Sequence, residues 1–182
     1  MPNYLSAAAL LLLLGLGGCA SETEKASDTN VLTSNDFEHL DGWTGNWTAL
    51  ATLSKAKAHS GVYSTSVRPG YDFSMGFDNP LGKMLDHRPD KLTVSAWVFV
   101  PNKDSNARLV AEIKEPGQPK GLLYEAVVLR EEVKKFGEWQ QVTKTFTLPT
   151  TTTSASHLVV YLWRSDSPMP VYLDDMAISI PK

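Results

Sequence analysis

The chain has a single cysteine, Cys19, in 182 residues. An internal disulfide and a multi-cysteine metal site are therefore excluded, and stability must come from a packed core. It has no excess of base. Lys and Arg total 17 against 20 Asp and Glu, a formal net charge of -3. That balance excludes the electrostatic footprint of a nucleic-acid binder. Histidine is sparse: His39, His59, His87 and His157 are scattered without metal-ligand spacing. No Gly-x-Ser-x-Gly string and no phosphate loop occurs. A glycosidase would need two carboxylates flanking a cleft, and nothing singles out Glu112 and Glu125 for that role. The chain is accordingly read as not an enzyme. It shows no internal repeat.

Long hydrophobic runs are also lacking. The longest, Leu5 to Leu16, is twelve residues diluted by Ser6 and Gly15. That is too short to span a bilayer and suits the core of a signal peptide. The opening "MPNY" carries no Lys or Arg. The string Leu16-Gly17-Gly18-Cys19 resembles the bacterial lipobox, which implies cleavage before Cys19 and its lipidation. Residues 1–18 are thus expected to be a lipoprotein signal peptide. Residues 19–30, with "ASETEKASDTN" after the cysteine, are expected to be a lipidated, solvated tether. Acids soon after the cysteine resemble the export signal of some surface lipoproteins. The expected location is the bacterial cell envelope, lipid-anchored to the outer membrane and either periplasmic or surface-exposed.

Residues 31–182 are one domain in size, ample for a core. Short runs with period-two alternation are separated by turn residues, a pattern that predicts an all-β fold, a β-sandwich or jelly roll. The runs include "GVYSTSV", "YDFSMGF", "KLTVSAWVFV", "RLVAEIK", "LLYEAVVL", "WQQVTKTFTL", "HLVVYLW" and "VYLDDMAISI". The second, "YDFSMGF", alternates Tyr71, Phe73, Met75 and Phe77 with Asp72, Ser74 and Gly76. The segment "REEVKKF" suits a helical turn or an exposed strand end equally.

Alternation sorts the side chains into two faces. In "LTVSAWVFV" the aliphatic set Leu92, Val94, Ala96, Val98 and Val100 should be core. Trp97 then falls on a mixed polar and aromatic face. "RLVAEIK" splits into Leu109, Ala111 and Ile113 against Arg108, Val110, Glu112 and Lys114. "HLVVYLW" sets Leu158, Val160 and Leu162 against His157, Val159, Tyr161 and Trp163. Flat π faces stack on pyranose rings, and sugar hydroxyls need fixed donors and acceptors. Trp97, Tyr161, Trp163, Arg108, Glu112 and Tyr124 are therefore the candidate ligand-binding set, expected on one face. For any one of them, packing under a loop is the competing explanation.

The acids of "VYLDDMAI" raise a separate question. Adjacent strand residues point to opposite faces, so Asp174 or Asp175 should face inward, and a buried carboxylate needs a partner. On "LTSNDFEHLDGW", "AHSGVYSTSV", "LTVSAWVFV", "EWQQVTKTFTLP" and "VYLDDMAI", the chain resembles the carbohydrate-binding modules of families four and nine, which are β-jelly rolls. The resemblance implies that Trp43 and Trp139 are packed. It also implies a structural calcium held by Glu38 and Asp174, with Asp175 and Asp36 in reserve and backbone carbonyls near His59 to Gly61 completing the shell. The alternative is that Asp174 caps a loop while Asp175 faces water. The function expected is a lipid-anchored, non-catalytic carbohydrate-binding module. The alternative is a protein-binding or structural surface module of the same fold.

Overall fold

The computed structural model describes residues 31–40, 42–44 and 49–181. The segments expected to be signal peptide and tether, with Cys19, and Trp47 lie outside the described residues. Among the described residues, ten strands form two antiparallel sheets, as the alternation predicts. They are β1 (Val31–Asn35), β2 (Leu53–Ser54), β3 (Ser64–Val67), β4 (Phe77–Pro80), β5 (Lys91–Phe99), β6 (Arg108–Lys114), β7 (Leu123–Val128), β8 (Trp139–Thr147), β9 (His157–Trp163) and β10 (Val171–Ser179). A single helical turn, α1 (Leu129–Glu132), falls within "REEVKKF" and the residue before it.

One sheet has the order β2-β3-β10-β5-β8, and β1 pairs with the second half of β10. The other has the order β4-β9-β6-β7. The aliphatic sets face each other between the sheets. Leu92, Val94, Ala96, Val98 and Val100 are each at most 1% exposed. Ile113, Leu158, Val160 and Leu162 meet them from the other sheet. Burying a Val, Leu or Ile side chain is worth about 1.5–3 kcal/mol, so these rows supply the bulk of the driving force.

Two departures from strict alternation position the candidate sites. The first is at β10. Leu173 faces the core opposite Val98, and Ile178 does so opposite Val94, five residues later. An odd separation is incompatible with one regular strand. A register shift between Asp174 and Ala177 absorbs the extra residue, with Asp175 at φ 45. This is a β-bulge, and it brings Met176 and Ile178 back inward.

The second departure is at "YDFSMGF". Met75 and Phe77 are buried, but Tyr71 and Phe73 are exposed. Regular pairing begins only at Phe77. Before it, the Ser74 hydroxyl accepts the Leu162 amide at 2.9 Å, while the Ser74 amide donates to the Leu162 carbonyl at 2.9 Å. A side chain thus replaces one ladder acceptor, and the chain turns so that Phe73 points outward. Gly76 sits so close to β9 that an added Cβ would lie 2.0 Å from the Val160 carbonyl oxygen. Trp139 keeps to the alternation but departs from the packed position that the resemblance implies. It is half-buried on the outer face of its sheet, paired with Phe99 and in edge contact with that ring, and so is not core. Trp43 is core, at 3% exposure, against the edge of Phe77.

Candidate functional site

The acids of β10 lie next to the bulge. Asp174 stands opposite Trp97, on the outward side of its sheet, yet it is fully buried. What covers it is the loop from His59 to Tyr63. Asp174 Oδ2 accepts the His59 amide at 2.7 Å and the Ser60 amide at 3.2 Å, and its Oδ1 accepts the Asp175 amide at 2.8 Å. The loop's other end is held by Glu38, whose Oε1 accepts the amides of Val62 at 2.7 Å and Tyr63 at 2.6 Å. Two carboxylates from opposite ends of the domain thus clamp one five-residue loop.

Gly61 is the tight point of that clamp. Its φ is +56, and a Cβ there would lie 2.5 Å from Glu38 Oε1. Asp175 turns toward the same loop, accepting from Ser60 Oγ at 2.6 Å and pairing with His59 Nδ1. The buried acid of the pair, Asp174, is therefore not between the sheets; it is beneath a loop. Burial pushes the Asp174 carboxyl up to about 6, and the three amide hydrogen bonds only partly offset that.

A carboxylate offers about four lone-pair positions. Hydrogen bonds between described residues occupy three on Asp174 and two on Glu38, so both acids keep some capacity for a cation. The described residues contain no group of three or more His, Cys, Asp or Glu able to hold a metal. A calcium at this clamp would therefore draw most of its six to eight oxygens from backbone carbonyls and water. Asp36 lies nearby, lining a polar hollow with Ser34, Asn35, His39 and Asp175.

The aromatic candidates separate. Trp97 is on β5, whereas Tyr161 and Trp163 are on β9 of the other sheet. All three project outward from the sandwich, but from opposite sides of it. Trp97 is covered by His59, whose ring stacks on it at 3.9 Å between centroids and 12° between planes. Trp139 meets the same imidazole edge-on at 5.8 Å. The Asp175–His59 contact holds this cover in place, so the imidazole occupies a π face of Trp97.

The remaining five candidates share the outer face of the β4-β9-β6-β7 sheet. Pairing sets Arg108 beside Trp163, Val110 beside Tyr161, Glu112 beside Val159 on one flank and Tyr124 on the other. Val110 and Val159 are buried and floor the face. Phe73, unforeseen because its run reads as a regular strand, completes it. The Phe73 ring is near-parallel to Trp163 at 6.5 Å and edge-on to Tyr161 at 5.8 Å. Phe73 is 48% exposed and Tyr124 52% exposed. Open aromatic rings therefore flank a cleft of about 330 Å³ lined by Phe73, Asp78, Lys114, Val159 and Tyr161.

Polar groups on this face are fixed by one another. The Tyr161 hydroxyl donates to Glu112 Oε1 at 2.6 Å, and Lys114 Nζ lies 2.6 Å from Glu112 Oε2. His157 Nδ1 pairs with Asp78 at 2.7 Å. The Arg108 guanidinium lies 5.1 Å from the Trp163 ring centre. Burial, reinforced by Glu112, pushes the Tyr161 hydroxyl above the ordinary tyrosine range, so it stays a donor. Stackable rings beside held carboxylate, ammonium and hydroxyl groups are what pyranose rings and their hydroxyls require.

Residues 29–168 match the carbohydrate binding domain family CBM_4_9. The chain belongs to that family. It is a carbohydrate-binding module, and the fold and the open aromatic cleft agree with that assignment. A curated relative, endo-1,4-beta-xylanase A of Thermoanaerobacterium saccharolyticum, is 26% identical over 159 residues. That match covers 82% of this chain but only 12% of the relative's length. Among solved structures, the tandem CBM22-1–CBM22-2 domain of Paenibacillus barcinonensis Xyn10C superposes with a TM-score of 0.57 at 19% identity, covering 83% of this chain and 50% of that one. The CBM22-1–GH10 modules of Clostridium thermocellum Xyn10B, solved with xylohexaose, give 0.51 at 16% identity, covering 84% of this chain and 29% of that one. At those identities the likeness establishes the fold. The same fold thus occurs in a module joined to a catalytic domain.

Proposed function

We propose that this module binds a xylan-type polysaccharide, without cleaving it, in the cleft between Phe73, Tyr161 and Trp163. The observation that carries the reading is three aromatic rings on one exposed sheet face, set around Glu112 and Lys114 in fixed positions. The xylanase among its relatives and the xylan-binding domains among its structural neighbours support the choice of backbone. Titration of soluble xylan and a panel of other polysaccharides by calorimetry tests it. Binding in the micromolar to millimolar range is expected, because ring stacks and a few hydrogen bonds work against the ordering of a flexible glycan. If no polysaccharide binds, a protein-binding role on the same fold takes its place.

The proposal includes a lipid anchor at Cys19, which holds the module at the cell envelope, on the outer membrane. Its support is the string Leu16-Gly17-Gly18-Cys19 after a short apolar run. Cys19→Ser should block lipidation and release the protein or leave it unprocessed. Membrane fractionation with the mature mass intact would refute the anchor.

It also includes a structural calcium at Glu38 and Asp174. The support is two carboxylates converging on one loop, with Asp174 still pushed up to about 6 by burial. A cation seated there would offset the remaining desolvation. A ligand bound only by the folded state stabilises it by about 2.7 kcal/mol at a hundredfold excess over Kd. Chelation should therefore lower the Tm by roughly 5 to 10 °C, and Glu38→Ala should abolish the difference. Identical melting curves in chelator and in millimolar calcium would remove the metal.

A further inference from the structure

Charge on the cleft face is almost fully paired. Outward-facing strand residues of that sheet carry five titratable charges: Asp78, Arg108, Glu112, Lys114 and His157. Glu112 is bonded to Lys114, and Asp78 to His157. Beside them, Arg164 is bonded to Asp72 at 2.6 Å. Arg108 stands apart. No carboxylate of the described residues lies within 4.0 Å of it, and it makes no hydrogen bond to any of them. Its Nε is sealed from solvent with no acceptor. An unmet buried donor is uncommon, and a guanidinium without an anion more so on a face where every other charge has one.

Arg108 is nonetheless held. It lies over Trp163, with Val128 beside it on β7, so it belongs to the aromatic row. With Nε closed off, the terminal nitrogens form the edge that a bound ligand meets. A guanidinium edge presents two parallel N–H groups, which match the two oxygens of a carboxylate and are poorly used by single hydroxyls.

We propose that Arg108 makes this module selective for acidic glycans, taking the carboxylate of a uronic-acid unit next to the sugar stacked on Trp163. This rests on the cleft being the glycan site. It names the feature of the glycan that the neutral rings and paired charges cannot read. A neutral chain would fill the aromatic row and leave Arg108 without a partner. A chain bearing a uronic acid would satisfy it with a charge-assisted pair.

Three probes of equal backbone length decide it: a xylo-oligosaccharide with one glucuronic acid branch, the same compound with its carboxyl group reduced to an alcohol, and the unbranched oligosaccharide. Wild-type protein is titrated with each by calorimetry at low and high salt. The acidic probe should bind about tenfold more tightly than its reduced form, the gain expected for one charge-assisted contact at a partly solvated site. That margin should shrink as salt rises. Arg108→Gln should bring the two affinities together, because the acidic probe loses its charge-assisted contact while the reduced probe has none of that kind to lose. Arg108→Lys should retain part of the margin, since it keeps the charge without the planar edge. Equal affinity of wild type for the acidic and reduced probes overturns the selectivity while leaving the cleft as a neutral-glycan site. So does a margin that survives Arg108→Gln. Failure of all three probes and of the polysaccharide panel overturns the cleft itself. The wild-type comparison needs no variant, so a misfolded Arg108→Gln protein does not shield the proposal.

Discussion

Asp174→Ala should lower the melting temperature by roughly 6 to 12 °C. The substitution removes the acceptor of three amides, those of His59, Ser60 and Asp175. Each buried donor left without a partner costs about 1–3 kcal/mol, less where the loop can lift and admit water. A net loss of about 3 kcal/mol is the low end for three such donors, as expected where the loop admits water, and a domain of this size loses about 2–4 °C per kcal/mol. Measurement in chelator keeps any lost calcium out of the comparison. The neighbouring Asp175→Asn is the control. Its carboxylate is partly open, meets two side chains and no amide of the loop, and asparagine tolerates the left-handed φ of 45 at that position. It should shift the Tm by only a few degrees. The ranking of the two neighbours is the informative result. An Asp174→Ala protein that melts within two or three degrees of wild type would mean that water satisfies the loop amides and that the clamp is not structural.

That clamp was half legible in the sequence. Adjacent acids inside an apolar strand announce that one of them is buried, and the need for a partner follows from desolvation alone. The partner's identity did not follow, because it is backbone. Amides look the same at every position, so nothing in "AHSGVY" marks His59 and Ser60 as donors to a residue more than a hundred positions away. The bulge hid the geometry further. Counting by twos from Leu173 sends Asp175 toward the core and Asp174 outward. The bulge instead leaves Asp174 outward but roofed, and resets the count for Met176 and Ile178.

The aromatic set shows a different limit. Alternation sent Trp97, Tyr161 and Trp163 away from the core, and each does face away from it. A sandwich has two outer surfaces, however, and alternation within a strand carries no information about which sheet that strand joins. That is fixed by pairing between distant segments: β5 with β10 and β8, β9 with β6 and β4. Phe73 escaped for the converse reason. The alternation of Tyr71, Phe73, Met75 and Phe77 reads as one buried row. The Ser74 side chain, by accepting a ladder hydrogen bond, breaks that row and turns Phe73 toward Trp163. Strand existence and the aliphatic core were readable because they depend on local pattern. The composition of the cleft depends on long-range pairing and one irregular segment.

Trp163→Ala and Trp97→Ala should therefore have opposite signatures. Trp163 is half-buried in the cleft row, parallel to Phe73 and beneath the Arg108 guanidinium. Its removal takes away one stacking surface and loosens the groups on either side of it. A glycan bound by two or three such stacks should lose about tenfold or more in affinity, roughly 1.4 kcal/mol or above. The Tm should move little, since the ring packs mainly against other surface groups. Trp97 lies on the opposite sheet, closed by His59 and adjacent to Asp174. Trp97→Ala should leave glycan affinity within twofold of wild type. It should instead lower the Tm by several degrees, because the imidazole that roofs it loses its stacking partner and with it part of the anchor of the His59–Tyr63 loop. Calorimetric titration and thermal melting of both variants beside wild type give four numbers that must fall in that crossed pattern. Loss of binding in Trp97→Ala with Trp163→Ala unaffected would move the sugar to the other sheet. Loss in both would mean that the two faces are coupled through the sandwich, and the cleft would no longer account for binding alone.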